Sequence, residues 1–192
     1  MSLAEAVQKV EQALNIREET FAEPVLVLIS GLPGSGKSYF SRRLARRIGA
    51  VVVETDFVRR TLYRKPRYTP GESFNVYRVS HHVIKDLLRR GHRVIFDATN
   101  LRESKREELY RIAEQARARL VIVRVVAPEE VIRQRLERRL QQPSPEDLSE
   151  ATWAVYEHMK KTEEPIRRNH LVVDTSRDIE EGLRKVVRAV ES

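Results

Sequence analysis

Apolar positions along this chain switch repeatedly between short continuous runs and helical spacing. Leu3, Val7, Val10 and Leu14 fall on one face and predict an amphipathic helix over 3–14. Pro24 leads into Val25-Leu26-Val27-Leu28-Ile29, a continuous apolar run of the kind a strand buried on both faces requires. Phe40, Leu44 and Ile48 then return to helical spacing. A second strand covers 51–54 and ends near Asp56, and a short helix follows from Phe57 to about Tyr63. Two prolines and a glycine between Lys65 and Gly71 predict a loop. Phe74, Tyr77, Ile84 and Leu88 mark a helix over 72–90 that Gly91 stops. A third strand covers 93–97, and a helix over 102–117 buries Leu109, Ile112, Ala113 and Ala116. The fourth strand covers 120–126. Pro128, in a first turn, opens a helix lined by Ile132, Leu136 and Leu140, and Pro143 and Pro145 break it. Ser149 starts a predicted helix to about Glu164, 171–174 is a fifth strand, and Ile179, Leu183, Val186, Val187 and Val190 define a closing helix.

Strands thus alternate with helices throughout. That order predicts an α/β fold, a parallel sheet covered on both faces. Ligands of such sheets lie beyond the carboxyl ends of the strands. Residues 1–22 read as an N-terminal amphipathic helix ahead of one domain over 23–192. No second domain, repeat or low-complexity stretch interrupts it.

Composition narrows the picture. The 192 residues hold no cysteine, which excludes disulfides, thiolate metal sites and cysteine nucleophiles. No apolar run approaches the roughly 20 residues that span a bilayer, and the start lacks a charged-then-apolar leader pattern. A cytoplasmic location with no membrane partner is the expectation. The net charge of +8 comes from 36 basic against 28 acidic residues, and it permits a polyanionic partner.

The chemistry begins at Gly31-Leu32-Pro33-Gly34-Ser35-Gly36-Lys37-Ser38, which satisfies the phosphate-loop pattern G-x-x-x-x-G-K-[ST] between a strand and a helix. Its glycines let backbone N–H groups wrap an anion, and the helix N-terminus adds partial positive charge. Lys37 can reach β- and γ-phosphates, and the Ser38 hydroxyl can ligate Mg²⁺. The chain is therefore expected to bind a nucleoside triphosphate. Asp56 and Asp97 stand at strand ends where the site belongs. Asp97 suits Mg²⁺, directly or through water, and Asp56 suits the proton of an acceptor hydroxyl; either could instead cap a helix. Arg133, Arg135, Arg138 and Arg139 crowd the helix after the fourth strand, and Arg135 and Arg139, four apart, share a face.

These residues, with Arg59 three positions after Asp56 and the run Asp97-Ala98-Thr99-Asn100-Leu101, resemble the P-loop kinase family that includes polynucleotide 5′-hydroxyl kinases, zeta-toxin-like kinases and chloramphenicol-phosphotransferase-like enzymes. The resemblance covers about 25–190. It implies a P-loop NTPase fold with strand order 2-3-1-4-5 and an arginine-bearing lid over about 128–164. It implies ATP and Mg²⁺ as cofactors, with Lys37, Ser38 and the rest of the loop to Tyr39 holding the triphosphate. It further implies Asp56 orienting the acceptor, Arg59 gripping an acceptor phosphate, and Asp97, Thr99 and Asn100 near metal and acceptor. Arg135 and Arg139 would form the lid, and the segment with Thr175 and Arg177 would meet the adenine. The N-terminal helix departs from the family, as an added partner surface or a packing element.

Three readings of the activity remain at this stage. One is a kinase of RNA or DNA 5′-hydroxyls, favoured by Arg59, Arg60, Arg64, Lys65 and Arg67 interleaved with Tyr63 and Tyr68. Another is a kinase of a small hydroxylated metabolite, nucleoside or antibiotic. The third is an ATPase or GTPase. Against it, Ala98 stands where a catalytic glutamate would follow Asp97, and no Asn-Lys-x-Asp guanine motif occurs. A non-enzymatic nucleic-acid binder would leave a complete phosphate loop without use.

Overall fold

The computed structural model describes residues 1–142, 149 and 151–192. In chain order the elements are α1 (Leu3–Ala13), β1 (Val25–Ser30), α2 (Lys37–Ile48), β2 (Val51–Glu54), α3 (Thr55–Leu62), α4 (Pro70–Arg89) and β3 (Val94–Asp97). They continue with α5 (Glu103–Gln115), β4 (Arg119–Val126), α6 (Glu129–Gln141), α7 (Trp153–Lys161), β5 (Leu171–Asp174) and α8 (Glu180–Glu191). The strands form one parallel sheet in the order β2-β3-β1-β4-β5, as the resemblance implied.

The continuous apolar character of β1 has a direct cause. Alternate side chains point to opposite faces, and both faces are covered. Leu26 and Leu28 join Val53, Phe96 and residues of α1, α3, α4 and α5 on one side. Val25, Val27 and Ile29 join Ile95, Val123 and residues of α2 and α8 on the other. Helix α1 belongs to the first layer. Ala6 and Val10 are buried in it, and Glu11 meets Arg90 at 3.3 Å.

Some expectations shift. Strand β2 ends at Glu54 and α3 starts at once, so Asp56 lies in a helix first turn rather than at a strand end. Helix α4 begins at Pro70, with the Thr69 hydroxyl accepting from the Glu72 N–H at 3.2 Å, so the predicted loop is shorter. Phe74 is not a core residue: it is 65% exposed, because the valines and leucines from Val76 to Leu88 set the buried stripe. Leu140 is 68% exposed, lying beyond Ile132 and Leu136, which pack with Tyr156 of α7 in a small cluster apart from the two sheet layers. Pro128 is the cap of α6 rather than a first-turn residue. Helix α7 starts at Trp153, capped by Thr152, and ends at Lys161, short of the expected 149–164. The expected break at Pro143 and Pro145 lies outside the described residues. Among the described residues no helix is long and apolar enough to cross a membrane.

Candidate active site

The parallel register delivers chemistry to one edge of the sheet. Ile29 of β1 pairs with Asp97 of β3, and Asp97 pairs with Glu54 of β2. Two carboxylates thus end adjacent strands beside the phosphate loop. Helix α3 starting directly after Glu54 adds Asp56, and the three line one cleft of about 1040 Å³.

The loop keeps its shape by contacts only glycine permits. Gly34 and Gly36 have φ of 77° and 90°, a region that favours glycine. A Cβ on Gly36 would lie 2.7 Å from Thr175 Oγ1. The Thr175 hydroxyl donates to the Ser35 carbonyl at 2.6 Å, so the β5–α8 turn presses on the loop. Arg135 locks this contact. Its Nη1 donates to Thr175 Oγ1 at 2.8 Å and to the Gly34 carbonyl at 3.3 Å, and its Nη2 donates to the Thr175 carbonyl at 2.8 Å.

Lys37 is half-buried at the surface with its Nζ turned inward, donating to the Leu32 carbonyl at 2.9 Å. Burial holds its pKa below the ordinary lysine value, opposed by Asp97 and Asp56. Ser38 Oγ donates to Glu54 Oε1 at 3.1 Å. All three carboxyls are pushed up, chiefly by burial. Glu54 rises from 4.5 to about 7, with the neighbouring charges of Asp97 and Asp56 adding to the effect. Asp56 is raised by burial, opposed by Arg59 and Lys37. Asp97 is only 2% exposed, and burial raises it against Lys37.

One wall of the cleft is Arg59. It is buried between Glu72 at 3.5 Å, the Ser73 hydroxyl at 3.2 Å and the Tyr68 ring at 4.6 Å. Tyr68 adopts a left-handed φ of 54°. The opposite wall is α6, which contributes Arg135, Arg138 and Arg139. Arg133 faces elsewhere and stacks over Trp153 at 4.0 Å.

Of the residues singled out in the sequence, Pro33, Gly34, Gly36, Lys37, Ser38, Tyr39, Asp56, Arg59, Asp97, Thr99, Arg135, Arg139, Thr175 and Arg177 all line the cleft. Gly31, Leu32 and Ser35 form the back of the loop instead. Asn100 is not brought to the cleft. It is buried with φ 47°, and its Nδ2 donates to the Ile29 carbonyl at 2.7 Å. The run containing it splices the turn after β3 to the loop: the Thr99 carbonyl accepts from Gly31 N at 3.0 Å. Sequence reasoning missed Glu54, Arg42 and Ser73, and took Tyr77 for a core residue although it also lines the cleft. Glu54 was findable, as a carboxylate at the carboxyl end of a strand beside the one that ends in Asp97.

These residues fit magnesium and a triphosphate. Asp97 Oδ2 is buried and has no hydrogen-bond partner among the described residues, and the nearby oxygens are hard donors. Ser38 Oγ and Asp97 would hold the ion. Among the described residues no group of three acidic, His or Cys side chains could hold a metal, as suits an ion that shares its shell with phosphates and water.

The AAA_33 family model, described as an AAA domain, matches residues 26–166. The L-seryl-tRNA(Sec) kinase of Methanococcus maripaludis is 30% identical over 118 residues, covering 54% of this chain and 42% of that protein. The chain thus spans about two fifths of that relative's length. Among solved structures, the Mycobacterium tuberculosis APS kinase CysC in complex with AMPPNP and APS superposes with a TM-score of 0.68 at 20% identity, covering 88% of this chain and 99% of that one. Chaetomium thermophilum Kti12 in complex with ADP-AlF3 gives 0.70 at 22%, covering 86% and 98%. A gluconokinase from Sinorhizobium meliloti 1021 gives 0.61 at 20%, covering 88% and 92%. With the loop, the strand order and a match over 26–166 together, the chain belongs to the AAA_33 family and has the P-loop kinase fold.

Proposed function

We propose that the chain is an ATP-dependent phosphotransferase that moves the γ-phosphoryl group to a hydroxyl, with a polynucleotide 5′-hydroxyl as the leading acceptor. The observation that carries this reading is the meeting of Lys37, Ser38, Asp56 and Asp97 in one cleft, walled by Arg59 on one side and the arginines of α6 on the other. The phosphate loop would cradle the triphosphate, and Ser38 and Asp97 would hold magnesium, which would offset phosphate charge. Asp56, its carboxyl raised by burial, suits the role of proton acceptor for the attacking hydroxyl. As the acceptor oxygen bonds to phosphorus, the bond to the β–γ bridging oxygen breaks and ADP leaves. Lys37, Arg135 and Arg139 offset the charge on the migrating group. Tyr39, Thr175 and Arg177 border the region left for nucleoside.

The nucleic-acid acceptor draws support from exposed Arg60, Arg64, Lys65 and Arg67, close in sequence to Tyr68 of the cleft lining, and from the similarity to a kinase named for seryl-tRNA. A small hydroxylated acceptor carrying an anion is the second reading, favoured by Arg59, the buried arginine of the cleft lining. The test is transfer of labelled γ-phosphate from ATP-Mg²⁺ to short RNA and DNA 5′-hydroxyl oligonucleotides, beside a panel of small hydroxylated acceptors and a no-acceptor control. Labelled oligonucleotide supports the first acceptor, and labelled small molecules alone select the second. Rapid ATP turnover in the control alone refutes the transferase reading.

A further inference from the structure

A serine hydroxyl that ligates a cation does so with an oxygen lone pair, so its proton must point elsewhere and find an acceptor. At Ser38 that acceptor is already in place, and it is Glu54 Oε1, at 3.1 Å. Asp97, the carboxylate that would share the ion, sits opposite Glu54 in the β2–β3 register and leaves Oδ2 without a hydrogen-bond partner among the described residues. The two strand ends thus divide the work. Glu54 is the carboxylate at 3.1 Å from the serine hydroxyl, while Asp97, which also lies near the Ser38 and Ser41 hydroxyls, keeps Oδ2 open toward the ion. Glu54 lines the same cleft, yet among the described residues it makes no other hydrogen bond that would account for a carboxylate in so crowded a place.

We propose that Glu54 is a positioning residue for the nucleotide-bound cation: it holds the Ser38 hydroxyl proton so that the oxygen faces the metal. This rests on the nucleotide-binding reading above. It predicts that Glu54 acts through Ser38, and that an uncharged acceptor in its place largely suffices.

Mn²⁺ is the probe, its affinity for the ADP complex read by electron paramagnetic resonance in wild type, Glu54→Gln, Glu54→Leu, Ser38→Ala and the Ser38→Ala/Glu54→Leu pair. A fluorescent ATP analogue in EDTA reports metal-free nucleotide binding in each. Glu54→Leu should weaken Mn²⁺ roughly 10- to 100-fold, the usual range for losing an outer-shell partner, while Glu54→Gln changes it about 3-fold or less, because its amide oxygen still accepts. The pair should bind Mn²⁺ no more weakly than Ser38→Ala alone, and metal-free nucleotide binding should be no weaker in either single Glu54 variant than in wild type. Unchanged Mn²⁺ affinity in Glu54→Leu would overturn the proposal, as would equal losses in Gln and Leu or additive losses in the pair. If wild type takes up no Mn²⁺ with ADP, the nucleotide-binding reading falls and the proposal falls with it; a failure confined to the variants leaves that reading standing.

Discussion

Replacing Glu54 with glutamine should make the metal-free protein more stable at pH 8.5 and leave it nearly unchanged near pH 4. Glu54 is enclosed by Asp97 of β3, Asp56 of α3, and Ser38, Lys37 and Arg42 of α2; burial and the two aspartates lift its carboxyl from 4.5 to about 7. A carboxyl raised in the fold favours the folded state below 4.5, where it is protonated in both states. That advantage is lost as pH rises through about 7, where the fold must carry an ion it disfavours. At about 1.4 kcal/mol per pH unit, the interval sets a ceiling of about 3 kcal/mol. The neighbouring carboxyls share protons with Glu54, so about 1–2 kcal/mol is expected. The substituted glutamine keeps the size and an acceptor for Ser38 without the charge. Burial of His81, whose pKa is lowered to about 4, acts on both proteins and cancels in the difference. Urea unfolding in EDTA at pH 8.5 and pH 4 measures the effect, and a thermal scan should show roughly 2–4 °C per kcal/mol for a chain of this size. Equal or lower stability of the variant at pH 8.5, or the same gain at both pH values, would refute the reasoning.

The remaining predictions concern the reaction and the frame that holds it. Lys37→Ala should reduce labelled γ-phosphate transfer to background with an unchanged circular dichroism spectrum; retained transfer would remove Lys37 from the reaction. Asp56→Asn should lower turnover by at least about 100-fold with little change in ATP affinity, as loss of a positioned proton acceptor requires, and normal turnover would make Asp56 only a first-turn helix residue. Arg106→Met should destabilise the protein by about 3–5 kcal/mol in urea, since it strands a buried partner. Arg106 is fully buried, pairs with Glu103 at 2.7 Å, and donates to the carbonyls of Asn100, Glu164 and Pro165; a loss under about 1 kcal/mol would show that these bonds are replaceable by water.

The sheet was legible because burial on both faces forces continuous apolar runs, and β1 and β3 have them. Alternation with such runs also located the helices to within a few residues. What failed was side-chain direction. Phe74 and Leu140 have the right spacing for the core, but whether a stripe faces inward depends on the surface it meets, and α6 packs chiefly on α7. Asn100 stands in a telling motif, yet its role within the described contacts is to tie a left-handed turn to the Ile29 carbonyl. Arg106 reads as one more solvated cation on a polar helix. Its burial is set by carbonyls at 164 and 165, some sixty residues on, which no local pattern encodes.

Glu54 joins these lines. Its position alternates with Val53, which faces the core, so the strand pattern assigns it a polar face and nothing more. Only the parallel pairing of β2 with β3 sets it beside Asp97, and only the immediate start of α3 brings Asp56 to the same edge. Three carboxylates then surround one lysine turned inward, an arrangement that resists ionisation of each of them. A fold maximised for stability would remove one. Retaining all three is understandable if a divalent cation and its phosphates complete the site, because added positive charge turns their mutual repulsion into attraction for the ion. Most of that attraction falls to Asp97, which would hold the ion, so Glu54→Gln should relieve the repulsion in the metal-free protein at alkaline pH while giving up little of the hold on the cation. Stability gained by Glu54→Gln without cation and stability conferred by cation binding on the wild type report two consequences of one electrostatic cause.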